Sequence, residues 1–162
     1  MERELSILNI KQKLPPLLEK YNVVLAYVFG SAVRGQMGPH SDIDIGVVFA
    51  DDLTPKEDFD RRVNLTQDIA DFFNVPEADV VNLKTASDPL IKHNIIFTGV
   101  PVLVRDPNFR FAVEQEIVRE YETTKPLRRI ASRVLRQQLQ DGTFGRPLIH
   151  TYSHDPLRAR ID

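Results

Sequence analysis

The chain contains no cysteine in its 162 residues. Disulfides, thiolate zinc sites and cysteine nucleophiles are therefore excluded, although this absence does not identify a compartment. No apolar run approaches the roughly 20 residues needed to span a bilayer. The start, Met1-Glu2-Arg3-Glu4, leads into mixed polar sequence rather than an apolar signal core, so a cytoplasmic protein is expected. Internal repeats and low-complexity tracts are also missing. What remains is 42% hydrophobic and 27% charged, the balance of a globular chain. The length suffices for one domain with a real core plus a short appendage.

The net charge of −2 hides an asymmetry. Residues 125–162 carry eight Lys/Arg against three Asp/Glu, whereas residues 1–124 carry thirteen basic against twenty acidic residues. An acidic body does not suggest general or direct nucleic-acid binding. It fits a metal site in the body and a basic tail that docks on something acidic, another copy of the body included, so a homo-oligomer is one expectation.

Along the chain, Ile7, Ile10 and Leu14 fall at helical spacing, and Pro15-Pro16 then predicts a new or kinked helix ending near Tyr21-Asn22. Val23 to Phe29 is a near-continuous apolar strand, the pattern of burial on both faces. Gly30 to Gly35 reads as a turn with one helical turn, and residues 36–41 as loop. Asp42 to Phe49 is a second strand. Thr54-Pro55-Lys56-Glu57 combines an N-cap, a first-turn proline and a capping box, predicting a helix to about Phe73.

Residues 78–83 form a short third strand, and Ser87-Asp88-Pro89 starts a helix that stops at Gly99, with Asp88 as its cap. Pro101 to Val104 is a further strand, and its leading proline favours an edge. Helices are expected over 108–122 and, separately, over 127–140, with an extended tail after Gly142.

Chemistry concentrates around the first two strands. Asp42 and Asp44 alternate with Ile43 and Ile45, so in a strand both carboxylates leave one face. Such neighbours repel and lose hydration unless a cation joins them. Gly30-Ser31 sits where an apolar strand gives way to a turn, a place where exposed N–H groups hold phosphate. A carboxylate pair and a phosphate turn in one strand–loop–strand unit suggest a metal–nucleotide site.

Gly30-Ser31, ten intervening residues and then Asp42-Ile43-Asp44, with Arg34-Gly35 in the loop and Ser41 before the first Asp, resemble the signature of the DNA polymerase β-like nucleotidyltransferase superfamily. The flanking pattern is closest to its minimal nucleotidyltransferase branch, small proteins usually paired with a HEPN-domain toxin. The resemblance covers roughly Tyr21 to Thr123. It implies a third carboxylate on a neighbouring strand, for which Asp79 is the match. Asp42 and Asp44 would ligate Mg²⁺, Asp79 would complete the nucleophile side, and two ions would act together.

Gly30 and Ser31 would hold the β/γ-phosphates of ATP, the nucleoside triphosphate substrate. The implied acceptor is a tyrosine hydroxyl of a HEPN ribonuclease toxin, which would make this chain an antitoxin. A small-molecule acceptor of the aminoglycoside type, or a non-catalytic antitoxin that neutralises by binding, are the alternatives.

The expected fold is α/β (α+β), the nucleotidyltransferase fold, with a mixed sheet of about four or five strands flanked by helices mainly on one side. Its expected organisation is a nucleotidyltransferase domain over residues 1–124 and a basic helix and tail over 125–162. Arg34 reads as a triphosphate contact, a partner contact or a solvated loop residue. His40 reads as a loop histidine, His93 as structural, Lys84 as solvated, and His150 and His154 as tail residues. Two features depart from the minimal branch: Asn82 stands where an acidic residue is common, and the C-terminal extension is long and basic.

Overall fold

Val23 to Phe29 forms β1, and five of its last five residues are buried, as a central strand requires. The computed structural model describes residues 6–35 and 41–145. His40, His150 and His154, and all but residues 143–145 of the tail expected to be extended after Gly142, lie outside the described residues. Before β1 come α1 (Ile7–Lys13) and α2 (Pro15–Lys20). Ser6 caps α1, and Pro15 opens α2 at a position where its missing N–H costs nothing.

After β1 follow a 3₁₀ turn (Gly30–Ala32), β2 (Ile43–Phe49), α3 (Pro55–Phe73), β3 (Ala78–Asn82), α4 (Pro89–Thr98), β4 (Val100–Val104) and α5 (Pro107–Gln140). The capping box at Thr54 and Glu57 is formed in both directions, and Asn74 ends α3 in the left-handed conformation. Asp88 caps α4, accepting from the N–H of Leu90 at 2.8 Å.

The strands lie in the order β3-β2-β1-β4. β1 is antiparallel to β2 and β4, whereas β2 and β3 run parallel, so the sheet is mixed. β4, with Pro101, is an edge strand as expected. Helices cover both faces rather than mainly one. One core joins Ile10, Leu14, Leu18, Val28, Ile43, Ile45, Leu65 and Ile69. The other joins Tyr27, Phe29, Val48, Leu83, Ile95, Val113 and Ile117. The reason is that β1 and the later part of β2 are apolar at nearly every position, so neither face of the sheet can be left in water.

A second difference concerns α5. The two helices expected around Pro126 are one, with the proline inside it. Proline removes a helix hydrogen bond and crowds the preceding turn. Just ahead of it, the hydroxyls of Thr123 and Thr124 donate to the carbonyls of Arg119 and Glu120, each at 2.8 Å, adding side-chain donors to that turn. The chain divides into two units, Met1–Thr124 and Lys125–Asp162. Among the described residues no helix is long and apolar enough to cross a membrane.

Candidate active site

The ladder between β1 and β2 pairs Phe29 with Asp44, and that between β2 and β3 pairs Asp44 with Asp79. Three strands therefore bring the Gly-Ser turn, the Asp42/Asp44 strand start and Asp79 to one end of the sheet. The register is set from the other face. Ile43 and Ile45 are fully buried. Each is worth about 1.5–3 kcal/mol on burial. A one-residue slip would expose both and drive the carboxylates into the core, so the apolar alternation holds the acids at the rim.

Gly30 follows β1 directly and has φ of +73°. A Cβ there would run into the carboxyl group of Asp44. Glycine is thus required twice, for the left-handed backbone and for the approach of the turn to the carboxylate. Ser31 is half-buried in the same turn, and Ala32 behind it is buried. Gly46, farther along β2, meets only the second need, since a Cβ there would lie 2.6 Å from the Ile95 side chain of α4.

Asp42 and Asp79 are exposed and Asp44 is half-buried. Burial raises the pKa of Asp44, the charges of Asp79 and Asp42 raise it further, and Arg34 opposes them. The three carboxylates thus share one field of negative potential with Arg34 at its edge. Among the described residues no three His, Cys, Asp or Glu side chains are arranged as a finished metal cage. The donor set nonetheless fits a hard divalent cation, because Asp44 stands in a field that a positive charge would relieve and its neighbours are oxygen donors on adjoining strands.

Beside Asp79 opens a cleft of about 570 Å³. Asp58, Phe59 and Arg62 of α3 form one wall, and Asp79, Asn82 and Thr85 another. Sequence reading did not single out Asp58. It is buried, and its carboxylate accepts from Asn82 Nδ2 at 2.6 Å, Arg62 Nε at 3.0 Å and Thr85 Oγ1 at 3.2 Å. An aspartate one turn into an amphipathic helix gives no sequence signal of burial, because two of its three partners lie 24 and 27 residues away.

The remaining candidates fall outside the cluster. His93 is stacked between Phe97 and Tyr121, with ring centroids at 4.3 and 3.8 Å, a packing role. Lys84 is exposed and reaches Asp52 at 3.8 Å.

Residues 12–108 match the family model described as Polymerase beta, Nucleotidyltransferase. A search of curated proteins found no match. Among solved structures, the chain is similar to a toxin–antitoxin crystallised with AMP-PNP: 23% identity, 77% of this chain and 98% of that one covered, TM-score 0.65. It is similar to a structure of a tri-AMPylated Shewanella oneidensis HEPN toxin in complex with MNT antitoxin, with 21% identity, 79% and 98% covered, and TM-score 0.62. A mutant of the MntA–HpeT toxin–antitoxin gives 25% identity, 77% and 97% covered, and TM-score 0.63. These likenesses establish the fold.

Proposed function

The chain belongs to the polymerase beta nucleotidyltransferase family, and from that premise we propose that it transfers AMP from ATP to a tyrosine hydroxyl of a partner HEPN ribonuclease toxin, acting as its antitoxin. The observation that carries the chemistry is the pairing of Asp44 with both Phe29 and Asp79, which sets the Gly30-Ser31 turn beside the carboxylates. Support for the acceptor is the likeness to structures of toxin–antitoxin pairs, one of them holding an AMPylated HEPN toxin.

In this reading the backbone N–H groups of Gly30 and Ser31 and the Ser31 hydroxyl bind the β- and γ-phosphates, and Arg34 adds positive charge at the rim. Asp42 and Asp44 hold Mg²⁺, and Asp79 completes the site on the acceptor side. The bound ions supply charge neutralisation on the triphosphate and lower the pKa of the attacking hydroxyl. The acceptor oxygen bonds to the α-phosphorus, the bond from that phosphorus to the bridging oxygen breaks, and pyrophosphate leaves. Asp79 takes up the hydroxyl proton. Residues 1–124 form the catalytic domain, and residues 125–162 a basic appendage.

The test is incubation with α-labelled ATP, Mg²⁺ and the protein encoded by the adjacent gene. Label on that partner, lost in Asp42→Asn, supports the reading. Label on an added aminoglycoside instead makes the acceptor a small molecule. Neutralisation of the partner that is unaffected by Asp42→Asn makes the protein a binding antitoxin and ends the catalytic account.

A further inference from the structure

The cleft beside Asp79 contains a polar network that nucleotidyl transfer leaves unused. Asp58 and Asn82 are each only 4% exposed. Asn82 Nδ2 donates to Asp58 Oδ1 at 2.6 Å, and its own Oδ1 accepts from the backbone N–H of Lys84 at 3.0 Å. Thr85 and Arg62 complete the Asp58 carboxylate, and the Asn82 carbonyl accepts from the N–H groups of Thr85 and Ala86. Among the described residues no buried side-chain polar atom lacks a partner. A buried charge satisfied by three donors is rigid, and removing one partner leaves the others exposed to the full desolvation penalty.

The location gives the network its consequence. β3 is an edge strand, paired only with β2. Asn82 is its last residue, three positions after Asp79. The Asp58–Asn82 bond ties that end to the first turns of α3, whose own start is fixed by the Thr54–Glu57 box. An edge strand held along one side and pinned at its end cannot splay, so Asp79 keeps its place opposite Asp44.

We propose that Asp58 and Asn82 are a positioning pair that holds Asp79 in register for metal binding on the acceptor side, an inference that rests on the carboxylate reading above. The hydrogen bonds of the Asp58 and Asn82 side chains named above all go to groups of this chain. The pair also limits what position 82 can hold. With a carboxylate at 58, an acid at 82 would set two buried negative charges against each other at hydrogen-bond distance. One carboxylate and one carboxamide satisfy the contact, and either residue can carry either group. In the exchange variant Asp58→Asn/Asn82→Asp, the carboxamide at 58 donates to the carboxylate at 82, and its oxygen accepts from Arg62 and Thr85.

The experiment compares the native chain, Asp58→Asn, Asn82→Asp and the exchange variant. Thermal midpoints are recorded, and Mn²⁺ is titrated calorimetrically in the presence of AMP-PNP, so that no turnover is needed. Each single substitution is expected to weaken Mn²⁺ binding about tenfold or more, and the exchange to return it to within about threefold of native. Lowered thermal midpoints with native Mn²⁺ affinity would make the network merely structural and overturn the proposal. An exchange variant as impaired as the single variants would overturn it too. A native chain that binds no Mn²⁺ with AMP-PNP would sink the metal site and this proposal together. Intact Mn²⁺ effects without label on the partner would sink only the acceptor assignment.

Discussion

Gly30 and Asp44 are in contact across the β1–β2 ladder: a Cβ on Gly30 would overlap the carboxyl group of Asp44. The Gly30-Ser31 turn and the Asp44 carboxylate are thus one object. Ten residues separate Ser31 from Asp42 in the sequence.

Gly30→Ala tests that contact. The left-handed backbone alone costs an alanine roughly 1–2 kcal/mol, and the clash with Asp44 adds to it. We expect a lowered thermal midpoint together with a raised KM for ATP. Unchanged KM and stability would show that the turn is not held against the carboxylate.

Asp44 carries an electrostatic penalty in the metal-free chain. Its folded pKa is raised, first by burial and then by Asp79 and Asp42. For an acid, a raised folded pKa means that the unfolded chain ionises first. The native chain in EDTA should therefore lose stability as pH rises from about 4 through the folded value. Asp44→Asn should be at least as stable as native at neutral pH in EDTA, and added Mg²⁺ should stabilise only the native chain. Differential scanning calorimetry checks both, and a destabilised Asp44→Asn in EDTA would contradict the account.

Asp42→Asn and Asp79→Asn should keep the fold, since both side chains are exposed. A metal contributes several kcal/mol of charge stabilisation, so losing its ligation should lower AMP transfer on the order of 10²–10³-fold. Initial rates with labelled ATP decide this. Near-native rates for Asp79→Asn would remove that residue from the site.

Two tyrosines should govern alkaline unfolding. Burial and then a hydrogen bond to Asp68 push Tyr21 up to about 12. Burial and then a hydrogen bond to Glu114 push Tyr27 higher still. Both phenols ionise first in the unfolded chain, so their stabilisation is complete below about pH 10 and is lost as pH rises above it. Urea melts at about pH 9 and about pH 11 should show a drop that Tyr27→Phe and Tyr21→Phe each reduce. A drop in both variants as large as that of the native chain would assign the alkaline transition to other groups.

Much of the site was legible before folding because its signals are local. Alternation of Asp42 and Asp44 with Ile43 and Ile45 assigns acids and apolar residues to opposite faces of any strand. Thr54, Pro55 and Glu57 announce α3 through hydrogen bonds within one turn, and all of them are present. Pro101 announces an edge because it cannot donate to a second neighbour. Pro126 misled for the same local reason: by propensity it divides a helix, yet α5 runs through it.

By itself the sequence determined which carboxylates share a strand face, since residue type and a strand period of two follow from covalent geometry alone. Only the tertiary structure decided which acids share a field and what holds them. Asp79 reaches Asp44 through a parallel ladder that needs the whole of α3 as its crossover, and Asp58 meets Asn82 across 24 residues. Those contacts depend on how two elements pack, and packing is a property of the assembled core, with no counterpart in the spacing of residues along the chain.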